Sequence, residues 1–336
     1  MQLYCAKKPS FFFVANGFSA NCVSKSPNPA ILRRIFKIKK FVQMTRLFIF
    51  CVMLSFSSAV AAQEFSFGFK TGLNFSNIKG DEEKTADATE SLDQNIGFHF
   101  GATFAWEITD IMGLRAELMY SQKGAKRSFE GPSYYTFTTP NNDKFLTTGI
   151  RQQELNVGNS YIELPIMGYF KPHSRFEVYG GMSFGVLVNS TAFGNIKFSE
   201  IMSENGSPAA PNSIDHELDF NYFSDKAGEQ TYGNPVETVK INNNNVPFPQ
   251  TAGAYFEFVE DRGKLYSAFD LGVVGGLSVY LSKSLYVSGR INYGLLDITK
   301  TKADVSLASL DDNKEFISRN DDDRNVTIQA SIGFSF

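Results

Sequence analysis

The sequence predicts an all-β fold, an eight-stranded antiparallel up-and-down transmembrane β-barrel with four long external loops. Three observations predict it. After residue 62, eight segments alternate apolar and polar residues, which is the period of a strand with two unlike faces. The connections between these segments are alternately brief and long, and an export signal precedes the first segment.

The N-terminal residues predict secretion. Met44-Thr45-Arg46 is a short basic start, an apolar stretch follows to Phe56, and small residues close the segment at Ala62. This order is typical of a signal peptide, which we place at residues 44–62, and the alternative is a short N-terminal membrane helix. Residues 1–43 precede a complete signal, so we expect that the start codon is assigned too early and that the barrel domain is 63–336.

The charge and cysteine content of the exported chain argue against nucleic-acid binding, disulfides and cysteine metal sites. Residues 1–62 hold nine basic and no acidic residues, which leaves 23 Lys+Arg against 35 Asp+Glu in the exported chain. We therefore expect no nucleic-acid partner, because phosphate contacts need clustered Lys and Arg. Cys5, Cys22 and Cys51 all lie before residue 63, so the exported chain has no thiol for a disulfide or a cysteine metal site.

The eight segments follow in order along the exported chain. In the first, Phe65 to Ser76, apolar residues alternate with serine, glycine, lysine and asparagine. The others show the same alternation. They are Asn95–Ile108, Gly113–Lys123, Ser160–Lys171, Arg175–Val188, Tyr266–Leu281, Ser284–Ile298 and Asn325–Phe336.

The connections predict which face meets the membrane. Tight turns are expected at Thr109–Met112, Pro172–Ser174 and Ser282–Lys283, and long polar connections at 77–94, 125–159, 189–265 and 299–324. Short turns at one end and long loops at the other are typical of transmembrane barrels. The alternative, a secreted soluble barrel of lipocalin type, is disfavoured because its loops would be of similar modest length.

The last strand, "IQASIGFSF", ends on Phe336. We expect it to pair with the first strand, because an open sheet edge in hydrocarbon leaves backbone groups unsatisfied. Phe334 and Phe336 are therefore predicted to serve barrel closure.

Three motifs resemble the PorT-like family of outer-membrane β-barrels: "FGFKTGLNFSN" at Phe67–Asn77, "YIELPIMGYF" at Tyr161–Phe170 and the final "GFSF". The resemblance covers most of residues 64–336 except the long loops. It implies a place in the cell outer membrane of a Gram-negative bacterium, with membrane lipids as partners. The aromatic end resembles the signal read by the barrel assembly machinery. Residues 189–265 form a longer external loop than the family pattern implies, so no loop role transfers.

An eight-stranded barrel has an interior just wide enough for side chains to fill, so we expect a plugged lumen. We expect Arg115 to pair with Glu117 or Glu163 and Arg290 with Asp270, because a lone buried charge is costly. The alternative is a gated ion path, and the inward glycines either admit bulky neighbours or leave water-filled space. The predicted lumen charge network is Lys70, His99, Arg115, Glu117, Glu163, Arg175, Glu177, Asp270 and Arg290.

No cofactor and no catalytic or metal site is predicted. His99 is the one candidate base for an outer-membrane lipid-modifying enzyme, since His173 and His216 form no spaced set with it. The acidic run 311–315 with Asp321–Asp323 is a candidate for Ca²⁺, but it lacks the glycine of a calcium loop, so we expect a solvated loop.

We therefore predict a non-enzymatic barrel whose external loops serve surface interaction or membrane integrity. The alternative is a component of a protein secretion or transport system, with secretion-system proteins as partners, and the enzyme ranks third.

Overall fold

Strands are the principal regular structure of the described chain. The computed structural model describes residues 65–85, 87–138, 144–312 and 316–336, all of which belong to the unit Gln63–Phe336. The predicted signal peptide and the extension before it lie outside these residues. No helix among them is long and apolar enough to cross a membrane.

Sixteen strands are found in the described residues. They are β1 Phe65–Lys79, β2 Thr89–Thr109, β3 Met112–Lys123, β4 Ala125–Thr138, β5 Lys144–His173, β6 Phe176–Ser203, β7 Ser213–Asn221, β8 Gln230–Thr231, β9 Thr238–Ile241, β10 Asn244–Pro247, β11 Thr251–Ala252, β12 Phe269–Tyr280, β13 Leu285–Gly294, β14 Val305–Leu310, β15 Phe316–Ser318 and β16 Arg324–Ser335.

Eight of these strands close into a ring, in the order β1, β2, β3, β5, β6, β12, β13 and β16. Each neighbouring pair is antiparallel, as an up-and-down barrel requires. The closing pair runs from Gly68 opposite Ser335 to Lys79 opposite Arg324. Beyond it, Phe336 and Phe67 exchange two backbone hydrogen bonds, so the chain end is part of the sheet. The predicted eight-stranded fold is confirmed.

The outward face of the ring carries the apolar residues of the alternation. Phe69, Ile96 and Phe269 are each more than 60% exposed, and similar residues follow at every second position of the ring strands. Phe98 and Phe100 stack near Tyr120 of the next strand on this face. Such an apolar belt around a closed sheet is suited to lipid.

The three brief connections lie at one end of the ring. They join β2 to β3, β5 to β6 and β12 to β13, where the prediction placed tight turns. Because short turns are periplasmic in outer-membrane barrels, we expect this end to face the periplasm and the opposite end to face outward.

The residues predicted as long polar connections contain much more strand than expected. β3 and β4 follow each other across Gly124, and β4 pairs with β2 and with the first half of β5. The second half of β6 pairs with β7. The sequence did not predict these strands because their inward positions mix polar and apolar residues. We use the name outer region for these additional strand segments together with the β6–β12 connection at residues 222–268 and the β13–β16 connection at residues 295–323.

The largest apolar core lies in the outer region. Tyr135 and Phe137 of β4 pack near Phe198 of β6 and Phe256 of the β6–β12 connection. The β9–β10 hairpin turns at Asn242 and Asn243, whose φ values of 48° and 68° suit a two-residue turn. The long connections are thus folded against a sheet.

Candidate functional site

The lumen of the ring is filled by charged and polar side chains that face inward from the strands. Four acidic and four basic residues are buried there among the described residues, so their formal charges cancel. The acidic residues are Glu117, Glu163, Glu177 and Asp270, and the basic residues are Lys70, Arg115, Lys123 and Arg290. We call these eight residues the lumen network.

The tier nearest the periplasmic turns is a bidentate ion pair. Arg115 of β3 donates hydrogen bonds of 2.7 and 2.8 Å to the two carboxylate oxygens of Glu177 on β6. Tyr280 donates a third to Glu177, at 3.1 Å. The rings of Tyr169 and Tyr179 lie 5.2 and 5.7 Å from the guanidinium carbon, so aromatic faces enclose the cation.

Tyrosines occupy this end because glycines on neighbouring strands make room for them. A Cβ on Gly276 would lie 2.7 Å from the Tyr179 hydroxyl, and a Cβ on Gly333 would lie 2.1 Å from the Tyr286 ring. The inward glycines at these points admit bulky neighbours, which was one of the two alternatives that the sequence left open.

The middle tier joins charges to a histidine. Glu117 accepts hydrogen bonds from Arg290 at 2.6 Å and from Lys70 at 3.4 Å. Arg290 also donates to Gln329. This tier crosses the lumen from β3 to β13 and β1.

His99 is fully buried beside this tier, with both ring nitrogens bonded. Its Nδ1 lies 2.7 Å from Oδ1 of Asn74, an oxygen that can only accept, so Nδ1 carries the proton. Nε2 then accepts from the Ser331 hydroxyl at 2.8 Å. His99 thus fills part of the lumen with both ring nitrogens hydrogen-bonded.

The outermost tier is centred on Lys123. Its ammonium lies 2.5 Å from Glu163 and 3.2 Å from Asp270. Asn325 donates to the same Asp270 oxygen at 2.9 Å, and the Tyr161 ring lies 5.2 Å from the ammonium. One cation therefore joins β3, β5 and β12.

The predicted pairing of these charges was wrong in its partners. Arg115 bonds Glu177 rather than Glu117 or Glu163, and Arg290 bonds Glu117 rather than Asp270. The order of the strands around the ring decides which charged residues meet inside the lumen. The order of the segments along the sequence does not show these partners.

Arg175 was also wrongly placed in the lumen. It is exposed in the turn before β6, because the strand begins one residue later, at Phe176. Conversely, Lys123 was not predicted to lie in the lumen. It is an even number of residues from Arg115 and Glu117 on β3, so the alternation of the sequence already placed it on their inward face.

Apolar side chains cover the lumen network on its outer side. Tyr161, Leu187 and Ile298 are buried there in the core of the outer region. The Tyr222 and Tyr266 rings meet edge to face at 5.0 Å. No side chain of the lumen network is more than slightly exposed.

A buried ion pair fixes the β6–β12 connection to the outer sheet. Arg151 of β5 is fully buried and bonds Glu257 at 2.5 and 3.1 Å. It also donates to the Tyr134 carbonyl at 2.6 Å. Arg151 and Glu257 were predicted to lie in long polar loops, so this contact was not expected from the sequence.

Two titratable groups of the outer region have shifted pKa values. The pKa of His216 is lowered to about 4, chiefly by burial; the hydrogen bond to the Glu217 carbonyl opposes the shift, and the Arg151 charge contributes to it. Burial alone would raise the pKa of Glu90, but the Arg127 and Arg319 guanidinium groups outweigh it and hold that pKa below its ordinary value.

The C-terminal aromatics lie at the periplasmic rim. Phe336 is 64% exposed, and its ring lies 5.9 Å from Phe69 and 5.5 Å from Phe334. The predicted closure residues thus lie on the lipid face of the β16–β1 seam. Their predicted use by the assembly machinery stays a prediction.

Comparison with solved structures finds outer-membrane barrels at low similarity. Ail, the attachment invasion locus protein of Yersinia pestis, is 13% identical, with 81% of this chain and 99% of that chain covered and a TM-score of 0.33. OprG of Pseudomonas aeruginosa is 10% identical, with 82% and 97% covered and a TM-score of 0.32. Neisserial surface protein A is 10% identical, with 82% and 99% covered and a TM-score of 0.28. No curated protein matches the chain.

The family assignment comes from the sequence itself. The profile of the family described as outer membrane protein beta-barrel domain matches residues 61–300. The match is to this general family, and no comparison is specific to the PorT-like proteins. The chain therefore belongs to the outer membrane protein beta-barrel domain family and is located in the cell outer membrane.

Proposed function

We propose that this protein is a non-enzymatic outer-membrane barrel that conducts no solute and uses its outer region to bind a protein at the cell surface. The observation that carries the proposal is the neutral lumen network covered by the core of the outer region. Side chains that fill the lumen in this way argue against a solute path, and a folded outer region supports a role in binding.

A cavity in the outer region supports the binding role. It has a volume of about 640 Å³ and lies between the β4–β5 hairpin and the β6–β12 connection. Tyr232, Val236 and Val259 line it and are 42%, 53% and 64% exposed. Exposed apolar side chains beside polar ones are typical of protein-binding surfaces.

Site-specific photo-crosslinking in intact cells tests the proposal. A crosslinking residue replaces Val259 in the outer region or, in a second variant, Lys283 in the periplasmic turn after β12. We expect capture of a surface protein from position 259 and none from 283. Phe100 on the lipid face is the control position.

The opposite pattern would overturn the proposal. Capture of periplasmic proteins from position 283 alone would favour the alternative, a PorT-like component of a secretion or transport system. If position 259 captures nothing and a deletion strain becomes detergent-sensitive, the outer region instead serves membrane integrity.

The position of His99 favours a non-enzymatic role. Both ring nitrogens are occupied inside the barrel wall, so no lone pair is offered to a lipid or peptide at either rim. We expect outer-membrane lipid composition to be identical in cells with His99→Gln and with the unaltered protein. A changed lipid profile would support the lipid-modifying enzyme.

A further inference from the structure

Three carboxylates from separate parts of the 295–323 connection converge in the outer region. Asp304 precedes β14, while Asp321 and Asp323 precede β16. Each offers one oxygen, and these oxygens lie within 4.8 Å of one another. Solvated acidic residues were expected at 311–315 and Asp321–Asp323. Asp311, Asp312 and Asp322 are exposed, whereas Asp321 and Asp323 are partly buried, and residues 313–315 lie outside the described chain.

A buried carboxyl group in this cluster lacks a donor. Asp304 is only 5% exposed, no donor among the described residues bonds its Oδ2, and its side-chain neighbour is the carboxyl group of Asp321. A buried carboxylate oxygen without a donor or a cation is strongly unfavourable. Two adjacent carboxyl groups with no donor between them need a shared proton or a cation, and the convergence of a third carboxyl group, that of Asp323, favours the cation.

Acidic groups outnumber basic groups around this cluster. Arg319 donates to Glu90 at 2.8 Å and to Asp321 at 2.6 Å, and Arg127 also donates to Glu90. The Asp297 carboxylate lies beside Asp323 and accepts from its backbone N–H at 3.1 Å. The excess of carboxyl groups over guanidinium groups favours a bound cation.

We propose that Asp304, Asp321 and Asp323 bind one Ca²⁺ ion. Ca²⁺ binds oxygen ligands at about 2.3–2.6 Å, so two of its ligand oxygens can be at most roughly 5 Å apart, and the three carboxylate oxygens, all within 4.8 Å of one another, can reach one ion. An all-oxygen site suits a hard cation. The Thr299 hydroxyl, 3.1 Å from Asp323 Oδ2, adds a neutral oxygen nearby.

The ion joins the β13–β16 connection to the outer end of the barrel. Asp323 lies against Gly80, which follows β1, and a Cβ there would lie 1.7 Å from Asp323 Oδ1. Ca²⁺ therefore stabilises the connection where it meets β1 and β16. This role is independent of the lumen and of the surface partner.

Calcium titration of the full-length, exported protein, purified from outer membranes and treated with EDTA, tests the site. We expect isothermal titration calorimetry to give one Ca²⁺ per chain, with Kd in the range of about 0.1–1 mM that is common for extracellular sites. Asp304→Asn and Asp321→Asn should weaken binding at least tenfold. The matched control, Asp312→Asn, removes an exposed carboxylate of the same connection and should leave binding unchanged.

Thermal unfolding separates a cation site from a merely structural cluster. Ca²⁺ should raise the Tm of the unaltered protein, and Asp304→Asn should lose this rise without a lower Tm in EDTA. Absence of saturable Ca²⁺ binding by the unaltered protein up to about 10 mM, tenfold above the expected range, would overturn the proposal. Equal binding of Mg²⁺ would overturn the assignment to Ca²⁺. If Asp304→Asn does not fold, the titration of the unaltered protein and of Asp321→Asn decides.

Discussion

Arg115 on β3 and Glu177 on β6 form a bidentate ion pair inside the lumen, over the intervening strand β5, with hydrogen bonds of 2.7 and 2.8 Å. Both side chains are buried, so removal of either one leaves the other charge buried without its partner.

Arg115→Met should lower the free energy of unfolding by about 3–5 kcal/mol, because it leaves the Glu177 carboxylate buried without its partner. The double variant Arg115→Met/Glu177→Met should be more stable than Arg115→Met alone, since it leaves neither charge. Urea unfolding, followed by the heat-modifiable gel mobility of the barrel, measures both. Arg175→Met, at an exposed position in the turn, is the control and should leave the free energy of unfolding unchanged. A double variant less stable than the single one would contradict the pairing.

Stability of the outer region should fall as the pH falls through the range between about 6.5 and 4. The His216 pKa is lowered to about 4 in the folded protein, so over this range the unfolded chain binds a proton that the folded chain does not. The full loss, about 3 kcal/mol, is reached below pH 4. Hydrogen exchange of β7 amides at several pH values measures it.

His216→Gln is the matched variant for this pH dependence. Its side chain keeps a polar group near the Tyr135 hydroxyl, which lies 2.9 Å from Nε2 of His216, but does not titrate. We expect the pH dependence of β7 exchange to flatten between pH 6.5 and 4. Unchanged pH dependence would mean that another group titrates.

Phe336→Ala should reduce assembly in cells more than it reduces stability. The two backbone hydrogen bonds to Phe67 remain in this variant, and the ring is mostly exposed, so we expect an unfolding change within about 1 kcal/mol. If the assembly machinery reads the terminal ring, the amount of folded barrel in the outer membrane should fall several-fold. Phe69→Ala, on the same lipid face, is the control. Equal losses for both variants would remove the special role of the terminus.

Gly72→Ala should open the β1–β16 seam. A Cβ at this position would lie 2.0 Å from the Ala330 carbonyl oxygen and 2.7 Å from the Ser331 Cα, so the backbones must separate. We expect a loss of about 1–3 kcal/mol in the same gel assay. Gly289→Ala meets nothing within 4 Å and should be close to neutral. Equal stability of the two variants would contradict the tight seam.

The sequence predicts the barrel wall well because lipid imposes one rule on it. Every second residue of a ring strand must be apolar where it faces lipid, and Phe65, Phe67 and Phe69 show this alternation in the sequence. The fold, the turn positions and the inward parity of most of the lumen network follow from this alternation.

The contacts inside the barrel and beyond it were less predictable. The partner of Arg115 lies on β6, on the far side of β5 in the ring, and alternation along one strand does not show which strands lie within reach of each other. In the outer region, Arg151, Gln153, Leu155 and Val157 share one buried face, but two of them are polar, so no apolar period shows. Asp304 and Asp321 meet only because the connection folds back, so the acidic cluster was not predictable from spacing.

Conductance of the purified protein in planar lipid bilayers tests the central claim, the closed lumen, most directly. The lumen network and the apolar core above it predict no steady openings from correctly folded protein, with a porin as the positive control for the membrane. Discrete, steady openings that respond to Arg115→Met or Glu117→Gln would contradict the closed lumen and make these charges part of an ion path.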